Sequence, residues 1–187
     1  KGSYAQLAFQ ITPSDDEAKG LTFSSQVKGG AIPKEYISGA EKGFEIAMKN
    51  GAYGFPLEAL NVTILDGSAH TVDSDAMSFE ICAKRGFREA IRGAKVAILE
   101  PIMRVEIITP DEYVGSVSSD LNRRRAVVEQ VEAKIAFQTI KALVPLAEMF
   151  GYVTALRSLS SGRANYSMEF HSYAEVPADI KEYILNV

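Results

Sequence analysis

The sequence predicts an α+β protein of two domains, a layered β-α-β domain over residues 1–99 and a ferredoxin-like βαββαβ sandwich over residues 100–187. Short segments of alternating apolar and polar side chains indicate strands with one buried face, and apolar residues three and four positions apart indicate helices between them. In the second half these segments follow the order β-α-β-β-α-β. Two right-handed crossovers in that order place four antiparallel strands beneath two helices. The boundary is expected near Leu99, where a short apolar segment ends.

The composition is that of an ordinary globular protein, with 187 residues and 47% hydrophobic side chains. Because the chain has no apolar run of membrane-spanning length and no signal peptide, we expect a cytoplasmic protein without a membrane partner. Cys82 is the single cysteine, which rules out an internal disulfide, and with His70 and His171 it is too little for a zinc cluster. Since Lys1 lies in what reads as a loop, we expect a fragment of a larger protein.

The first domain is expected to begin with two paired strands and a helix. Residues 4–12 alternate as a strand does, and residues 20–27 are predicted to be its hairpin partner. Pro33 suits the first position of a helix that Gly51 ends. The buried stripe of this helix is predicted to be Ile37, Ala40, Phe44 and Ala47.

A third strand and a long helix follow. Residues 60–65 alternate again, and Ser74 is predicted to cap the helix after them. Residues 94–99 are expected to close the domain as a short strand. The helix is predicted to bury Phe79, Cys82 or Ala83, Phe87 and Ala90 or Ile91, and to leave Glu80, Lys84, Arg88 and Arg92 in water.

The second domain is predicted to open with a strand over residues 102–108, after a junction marked by Pro101. Its buried side chains are expected to be Met103, Val105 and Ile107. Thr109 is predicted to cap the next helix and Pro110 to occupy its first position, with Glu112 bonding back to the cap. The apolar stripe of this helix is Tyr113 or Val114, Val117 and Leu121, and the helix ends in a basic turn.

The remaining elements are predicted to be two strands over residues 126–131 and 134–144, a helix that starts at Pro145, and a last strand over residues 164–173. The tail is expected to form a short helix over residues 177–185. The buried stripe of the Pro145 helix is predicted to be Leu146, Met149 or Phe150, Val153 and Leu156. Core packing is favoured for both Met149 and Phe150. Gly151 is expected to allow the helix to approach the sheet closely.

Three segments of the sequence carry a resemblance to one known family. The motifs Leu-Glu-Pro-Ile-Met at 99–103 and Gly-x-Val-x-x-Asp-Leu-x-Arg-Arg-Arg at 115–125 are similar to the entry of domain V, the last domain of translational elongation factor G. Val-Pro-Leu-Ala-Glu-Met-Phe-Gly-Tyr at 144–152, continuing to Gly-Arg-Ala at 162–164, matches the same family in the same order. The resemblance implies that residues 1–99 form the ribosomal-protein-like domain IV.

The words Gly-Ser-Ala-His-Thr-Val-Asp-Ser at 67–74 resemble the tip loop of domain IV, where the family places a histidine against tRNA and messenger RNA in the decoding region. Chemistry alone favours a loop or capping role for His70 over a catalytic one. The sequence departs from the family at Ala69 and Thr71. The RNA-binding residues implied in this domain are Lys1, Gly2 and Ser3 of a neighbouring loop, together with Gly67, Ser68, His70 and Thr71.

Two basic groups are candidates for RNA contact. By resemblance, Arg123, Arg124 and Arg125 face large-subunit rRNA and the stalk base, together with the exposed side of the following helix, which is expected to carry Glu148, Tyr152 and Arg157. The net charge of −4 argues against an indiscriminate nucleic-acid binder. The other group contains Lys84, Arg85, Arg88, Arg92 and Lys95. For both groups, chemistry alone favours a solvated face or a charge at a helix C-terminus that offsets the helix dipole.

The resemblance implies that the chain is the ribosome-binding part of a monomeric GTPase that promotes tRNA–mRNA translocation. No Walker motif, nucleophile elbow or dinucleotide fingerprint occurs in the sequence. The resemblance implies that GTP and magnesium bind in a domain outside this chain, and no cofactor or catalysis is expected on the chain itself. Two alternatives within the family are a ribosome-recycling and a ribosome-protection paralogue. The alternative from another class is a small-molecule enzyme on a ferredoxin-like scaffold, which requires a deep pocket with convergent titratable groups.

Overall fold

A computed structural model of the chain describes residues 2–15 and 20–186. The chain divides into two compact units, Lys1–Val96 and Ala97–Val187, and each has its own sheet and hydrophobic core. The predicted α+β class is confirmed. Among the described residues, no helix is both long enough and apolar enough to cross a membrane.

The first unit contains a three-stranded sheet whose central strand is the third in sequence. Its elements are β1 (Gln6–Pro13), β2 (Leu21–Ser25), α1 (Lys34–Asn50), β3 (Leu60–Ser68) and α2 (Ala76–Gly93). β3 lies between the other two strands, antiparallel to β1 and parallel to β2. The predicted hairpin between residues 4–12 and 20–27 is therefore wrong. From this central position β3 contributes two fully buried side chains, Val62 and Ile64, to the core of the unit.

Both helices pack their predicted apolar stripes into the core of the first unit, which contains Ala40, Phe44 and Ala47 from α1 and Phe79, Ala83 and Phe87 from α2. Gly51 ends α1 as predicted, with a left-handed φ of 61°. Pro33 lies one residue before the helix, not in its first position. Glu80, predicted to lie in water, is 8% exposed. Its carboxylate is 2.6 Å from Lys84 Nζ and 3.6 Å from Lys42 Nζ, and the hydrogen bond from Lys84 lowers its pKa.

Two glycines bring α1 against the first turns of α2. A Cβ atom on Gly39 would lie 2.3 Å from the carbonyl oxygen of Ala76, and one on Gly43 would lie 2.4 Å from that of Glu80. Both distances are far below van der Waals contact, so the two helix backbones touch at this point. Any side chain larger than hydrogen would push the helices apart.

The second unit is a four-stranded antiparallel sheet with helices on its core face. Its elements are β4 (Leu99–Pro110), α3 (Val114–Arg123), β5 (Val127–Lys134), β6 (Phe137–Pro145), α4 (Tyr152–Leu159), β7 (Asn165–Glu175) and α5 (Ala178–Asn186). The strand order β5-β6-β4-β7 is that of a ferredoxin-like sandwich, as predicted. The expected helix over residues 177–185 is also present, as α5.

The predicted strand over residues 94–99 is wrong, because Leu99 is the first residue of β4 and pairs with Glu175. Pro101, expected to mark a junction, lies inside β4. The strand tolerates it because Pro101 is paired only with β7, and pairing with β6 begins at Ile102. Val105 and Ile107 are fully buried, as their alternation predicts.

The predicted cap of the first helix in this unit is also wrong. Thr109 is fully buried, and its hydroxyl donates to the carbonyl oxygen of Pro110. Pro110 precedes a single 3₁₀ turn, Asp111–Tyr113, which leads into α3, and no side chain caps this turn. Val117 and Leu121 of α3 are fully buried, as predicted.

The helix predicted to start at Pro145 is two separate pieces, a 3₁₀ turn over Leu146–Glu148 and α4. Gly151 separates them with a left-handed φ of 74°, and a Cβ there would meet no atom within 4 Å, so it does not serve a close approach to the sheet. Because the helical register restarts at Tyr152, that ring is buried, whereas Phe150 is 81% exposed and Val153 is 45% exposed. The predictions for these three residues are wrong, and that for Met149 is confirmed.

We expect Gly43→Ala to lower the free energy of unfolding by about 2 kcal/mol, because the new methyl group must displace backbone atoms of α2. Equilibrium urea unfolding measures the change. Gly93→Ala is the matched control, since a Cβ there meets nothing within 4 Å. It should change stability by less than about 1 kcal/mol. Equal effects of the two variants would contradict close helix contact.

Candidate nucleic-acid interface

The tip loop, residues 69–75, connects the end of the central strand β3 to the start of α2. Asp75 is the cap of α2, because its carboxylate accepts hydrogen bonds of 2.7 Å from the backbone nitrogen and the hydroxyl of Ser78. The predicted cap, Ser74, precedes it and has another role. The loop therefore ends at a well-defined helix start, which fixes the position of its last residues.

A set of hydrogen bonds, here called the clasp, joins the tip loop to the start of the chain through Gly2, Tyr4, Asp73 and Ser74. The buried Ser74 hydroxyl donates to the carbonyl oxygen of Tyr4 at 2.7 Å and accepts from the backbone nitrogen of His70 at 2.8 Å. The Tyr4 nitrogen donates to the Asp73 carbonyl at 2.8 Å, and the Gly2 nitrogen donates to the Asp73 carboxylate at 3.0 Å. Residues 2–4 and the tip loop therefore form one structure.

His70 projects from this loop with 54% of its side chain exposed. Its Nδ1 atom lies 3.3 Å from the backbone nitrogens of Val72 and Asp73, and 3.3 Å from Oδ2 of Asp73. When Nδ1 accepts from the two backbone groups, the imidazole is neutral and carries its proton on Nε2. A protonated ring would instead donate from Nδ1 to the Asp73 carboxylate. In both states the ring keeps an N–H donor for an outside acceptor such as a phosphate or a base.

The other predicted contacts of the first unit lie in different environments. Gly67 and Ser68 belong to β3 and not to the loop. A Cβ on Gly67 would lie 2.4 Å from the carbonyl oxygen of Gln6, and the Ser68 hydroxyl bonds to side chains of β1 and the segment before it, so both residues hold strands together. Thr71 is exposed in the loop, and Ser3 is exposed with its hydroxyl 3.0 Å from that of Ser78. Lys1 lies outside the described residues.

Arg125, in the second unit, is held inside its own domain. Its guanidinium donates two hydrogen bonds to the Glu100 carboxylate, at 2.8 and 3.0 Å, and a third to Glu148 at 3.1 Å. The hydrogen bonds to Glu100 raise the pKa of Arg125 further above its usual value. The backbone of Arg125 has a left-handed φ of 57°, a strained conformation that this ion-pair network supports.

Arg124 is also committed to contacts within the unit. It donates to the Asp120 carboxylate at 2.8 Å and to the carbonyl oxygen of Glu148 at 2.6 Å, and it lies over the ring of Tyr152, 4.9 Å from the centroid. Burial raises the pKa of Tyr152, whose hydroxyl has no hydrogen-bond partner among the described residues. Arg123 is exposed, and no carboxylate in the described part of the chain pairs with it.

Of the residues proposed for the second unit, Arg123 and Arg157 are exposed, whereas Tyr152 is buried. Sequence reasoning missed the clasp entirely. Tyr4 and Ser74 are 70 residues apart, and a contact at that separation leaves no periodic pattern. The only local signal was that Asp73 and Ser74, which favour turns and side-chain-to-backbone bonds, stand together before a helix.

Comparison with known proteins identifies both halves of the chain. Residues 1–95 match the family model "Elongation factor G, domain IV", and residues 97–184 match "Elongation factor G C-terminus". Two proteins named elongation factor G, from Cytophaga hutchinsonii and Amoebophilus asiaticus, are 50% and 45% identical to this chain. Each match covers 99% of this chain and 26% of the relative. A crystal structure of a protein from Thermus thermophilus matches with a TM-score of 0.86 and 33% identity, over 99% of this chain and 29% of that one. The chain thus spans about a quarter of the length of the curated relatives.

We expect Ser74→Ala to open the clasp, because it removes one hydrogen bond to Tyr4 and one from His70. The free energy of unfolding should fall by about 1–3 kcal/mol, since two buried polar groups lose their partner. Hydrogen exchange at the Tyr4 and His70 amides should accelerate beyond the global change. Ser38→Ala, at an exposed position of α1, is the control. Unchanged exchange at both amides would show that the clasp does not hold the loop.

Tyr152→Phe should leave the free energy of unfolding unchanged or raise it by about 1 kcal/mol, because it removes a buried hydroxyl that has no partner among the described residues. The ring remains, so Arg124 keeps its aromatic contact. Tyr183→Phe, at an exposed site, controls for loss of a solvated hydroxyl. A loss of more than about 1 kcal/mol in urea unfolding of Tyr152→Phe would mean that this hydroxyl is hydrogen-bonded.

Proposed function

The chain belongs to the elongation factor G family, and on that premise we propose that it is the ribosome-binding part of a translational GTPase that promotes movement of tRNA and messenger RNA. In this proposal the first unit enters the decoding region of the small subunit. The second unit contacts rRNA and the stalk base of the large subunit. GTP and magnesium bind in a domain outside this chain, and the parent protein works as a cytoplasmic monomer.

The proposal depends mainly on one observation: His70 is exposed, and it lies on a loop that hydrogen bonds restrain. The clasp restrains the loop backbone, so an RNA contact by this side chain costs little ordering entropy. An imidazole presents both a flat face for stacking on a base and an N–H donor for phosphate. Its role is therefore to hold RNA in place, without any bond being made or broken by this chain.

For the second unit the proposal depends mainly on Arg123 and Arg157. Both are exposed, whereas Arg124 and Arg125 hold the strand, turn and helix around them together. We therefore expect substitution of Arg124 or Arg125 to act on ribosome binding through the shape of the unit. Substitution of Arg123 or Arg157 should act directly, through lost contact with phosphate.

The recycling and protection alternatives share both units, so they are distinguished by the activity of the parent protein. A translocase moves tRNA and messenger RNA, a recycling factor splits ribosomes with a partner factor, and a protection factor releases a bound antibiotic. The small-molecule enzyme has less support in the geometry. Of the described residues of the second unit, those with clearly shifted pKa values are Arg125, which is engaged in ion pairs, and Tyr152, which is packed in the core.

In the full-length parent protein, we expect His70→Ala to slow tRNA–mRNA movement on the order of tenfold, equivalent to about 1.4 kcal/mol of lost transition-state stabilisation. Ribosome-stimulated GTP turnover should stay within about twofold, because the substitution leaves the nucleotide site untouched. Rapid-kinetic translocation and phosphate-release assays measure the two rates.

The control is His171→Ala, which removes the other histidine of the chain, exposed on β7 of the second unit. It should affect neither rate. Equal losses of movement and GTP turnover in His70→Ala, or no loss of movement, would count against the proposed role of the tip loop.

A further inference from the structure

A row of arginines, here called the arginine stripe, follows the exposed side of α2. It consists of Arg85, Arg88 and Arg92, whose spacing of three and four residues places them on one helix face about 10 Å long. All three line an open groove of about 570 Å³. Ser78 and Ser3 line the same groove, and Ser78 lies in the first turn of α2, directly after the tip loop.

The cations of the stripe are available for a partner. None of them forms an ion pair with another described residue, unlike Lys84 on the same helix, whose ammonium is bound to Glu80. Among the described residues, Glu89 is the one acidic residue that lines the groove, against three arginines, so the described lining carries an excess of positive charge. An arginine guanidinium presents a planar set of donors that matches the oxygens of a phosphate.

An exposed aromatic ring stands beside the stripe. Tyr53 is 66% exposed and lines a second cavity, of about 440 Å³, together with Arg88 and Arg92. Its backbone has a left-handed φ of 54°, which is unusual for a bulky residue. Proteins that bind single-stranded nucleic acid combine a positive groove along the backbone with aromatic rings on which bases stack.

We infer that the arginine stripe and Tyr53 bind single-stranded RNA, with the arginines on its phosphates and the tyrosine against a base. This inference rests on the proposed function and extends it, because it continues the RNA contact of the tip loop along α2. Charge alone would also suit an acidic protein. Two observations favour RNA: the exposed ring of Tyr53, and the extent of the groove to Ser78, which is hydrogen-bonded to Asp75 of the tip loop.

The test uses the 187-residue chain and a fluorescent single-stranded RNA of about 12 nucleotides, with binding measured by anisotropy between about 50 and 200 mM salt. Arg85→Gln/Arg92→Gln should weaken binding about tenfold at low salt and reduce the slope of log affinity against log salt by about 1.4. Lys28→Gln/Lys34→Gln, which removes the same charge at exposed positions outside the groove, should stay within about twofold.

Two further variants test the groove. Glu89→Gln should strengthen binding, because it removes the negative charge that faces the phosphates. Tyr53→Ala should weaken binding about fivefold or more, while Tyr53→Phe, which keeps the stacking ring, should bind as the unmodified chain does.

Three results would overturn the inference. If the unmodified chain does not bind the RNA, the RNA contacts of the proposed function fail with it. If the stripe variant binds like its lysine control while His70→Ala weakens binding, the inference alone fails and the tip-loop role stands. If polyglutamate of the same charge displaces the RNA as well as unlabelled RNA does, the stripe is a general anion surface and not an RNA site.

Discussion

The close contact between α1 and α2 is the constraint on which the functional surface of the first unit depends. Gly39 and Gly43 let the backbone of α1 reach the carbonyl oxygens of Ala76 and Glu80, in the first turns of α2. Because those turns cannot shift, Asp75 caps the helix at a fixed place and the tip loop ends there. The same contact sets the rotation of α2 about its axis. The two surfaces that we propose to bind RNA, the tip loop and the arginine stripe, are thus both positioned by this helix contact.

The arginines of α2 are exposed, whereas two of the three consecutive arginines in the second unit make contacts within that unit. The local backbone geometry explains the difference. On α2 they recur at three and four residues, so the helix directs them to one exposed face. In the second unit Arg123, Arg124 and Arg125 are consecutive and lie where a helix ends and the chain turns. Successive residues there point in different directions, so one is exposed and two reach carboxylates and a ring within the unit. A basic run in a sequence is therefore not the same as a basic surface.

The periodic elements of both units were predictable, and most local signals at their ends were not. Val105 and Ile107 on β4, and Phe79 and Phe87 on α2, lie where alternation and helical spacing place them. The Ser74 cap failed because the neighbouring Asp75 takes the same role, whereas the Thr109 cap failed because Thr109 is buried near the end of β4 and no side chain caps the turn after it. The predicted helix register after residue 145 was wrong because Gly151, with its left-handed φ, interrupts the helix, which restarts at Tyr152. Each residue after the interruption therefore lies on a different face from the one predicted.

The sequence by itself determined the family, the α+β class, the ferredoxin-like order of the second unit and the position of His70 in a loop. These features follow from sequence motifs that occur in a fixed order and from the spacing of apolar residues, which are both properties of residues close together in the chain. Only the tertiary structure decided that β3 is central, that Ser74 and Asp73 bind residues near the start of the chain, and that Arg124 and Arg125 are engaged by contacts within their own unit. Each of these features depends on the pairing of distant strands or on hydrogen bonds between residues 23 to 71 positions apart. Contacts at such separations leave no repeating pattern along the chain.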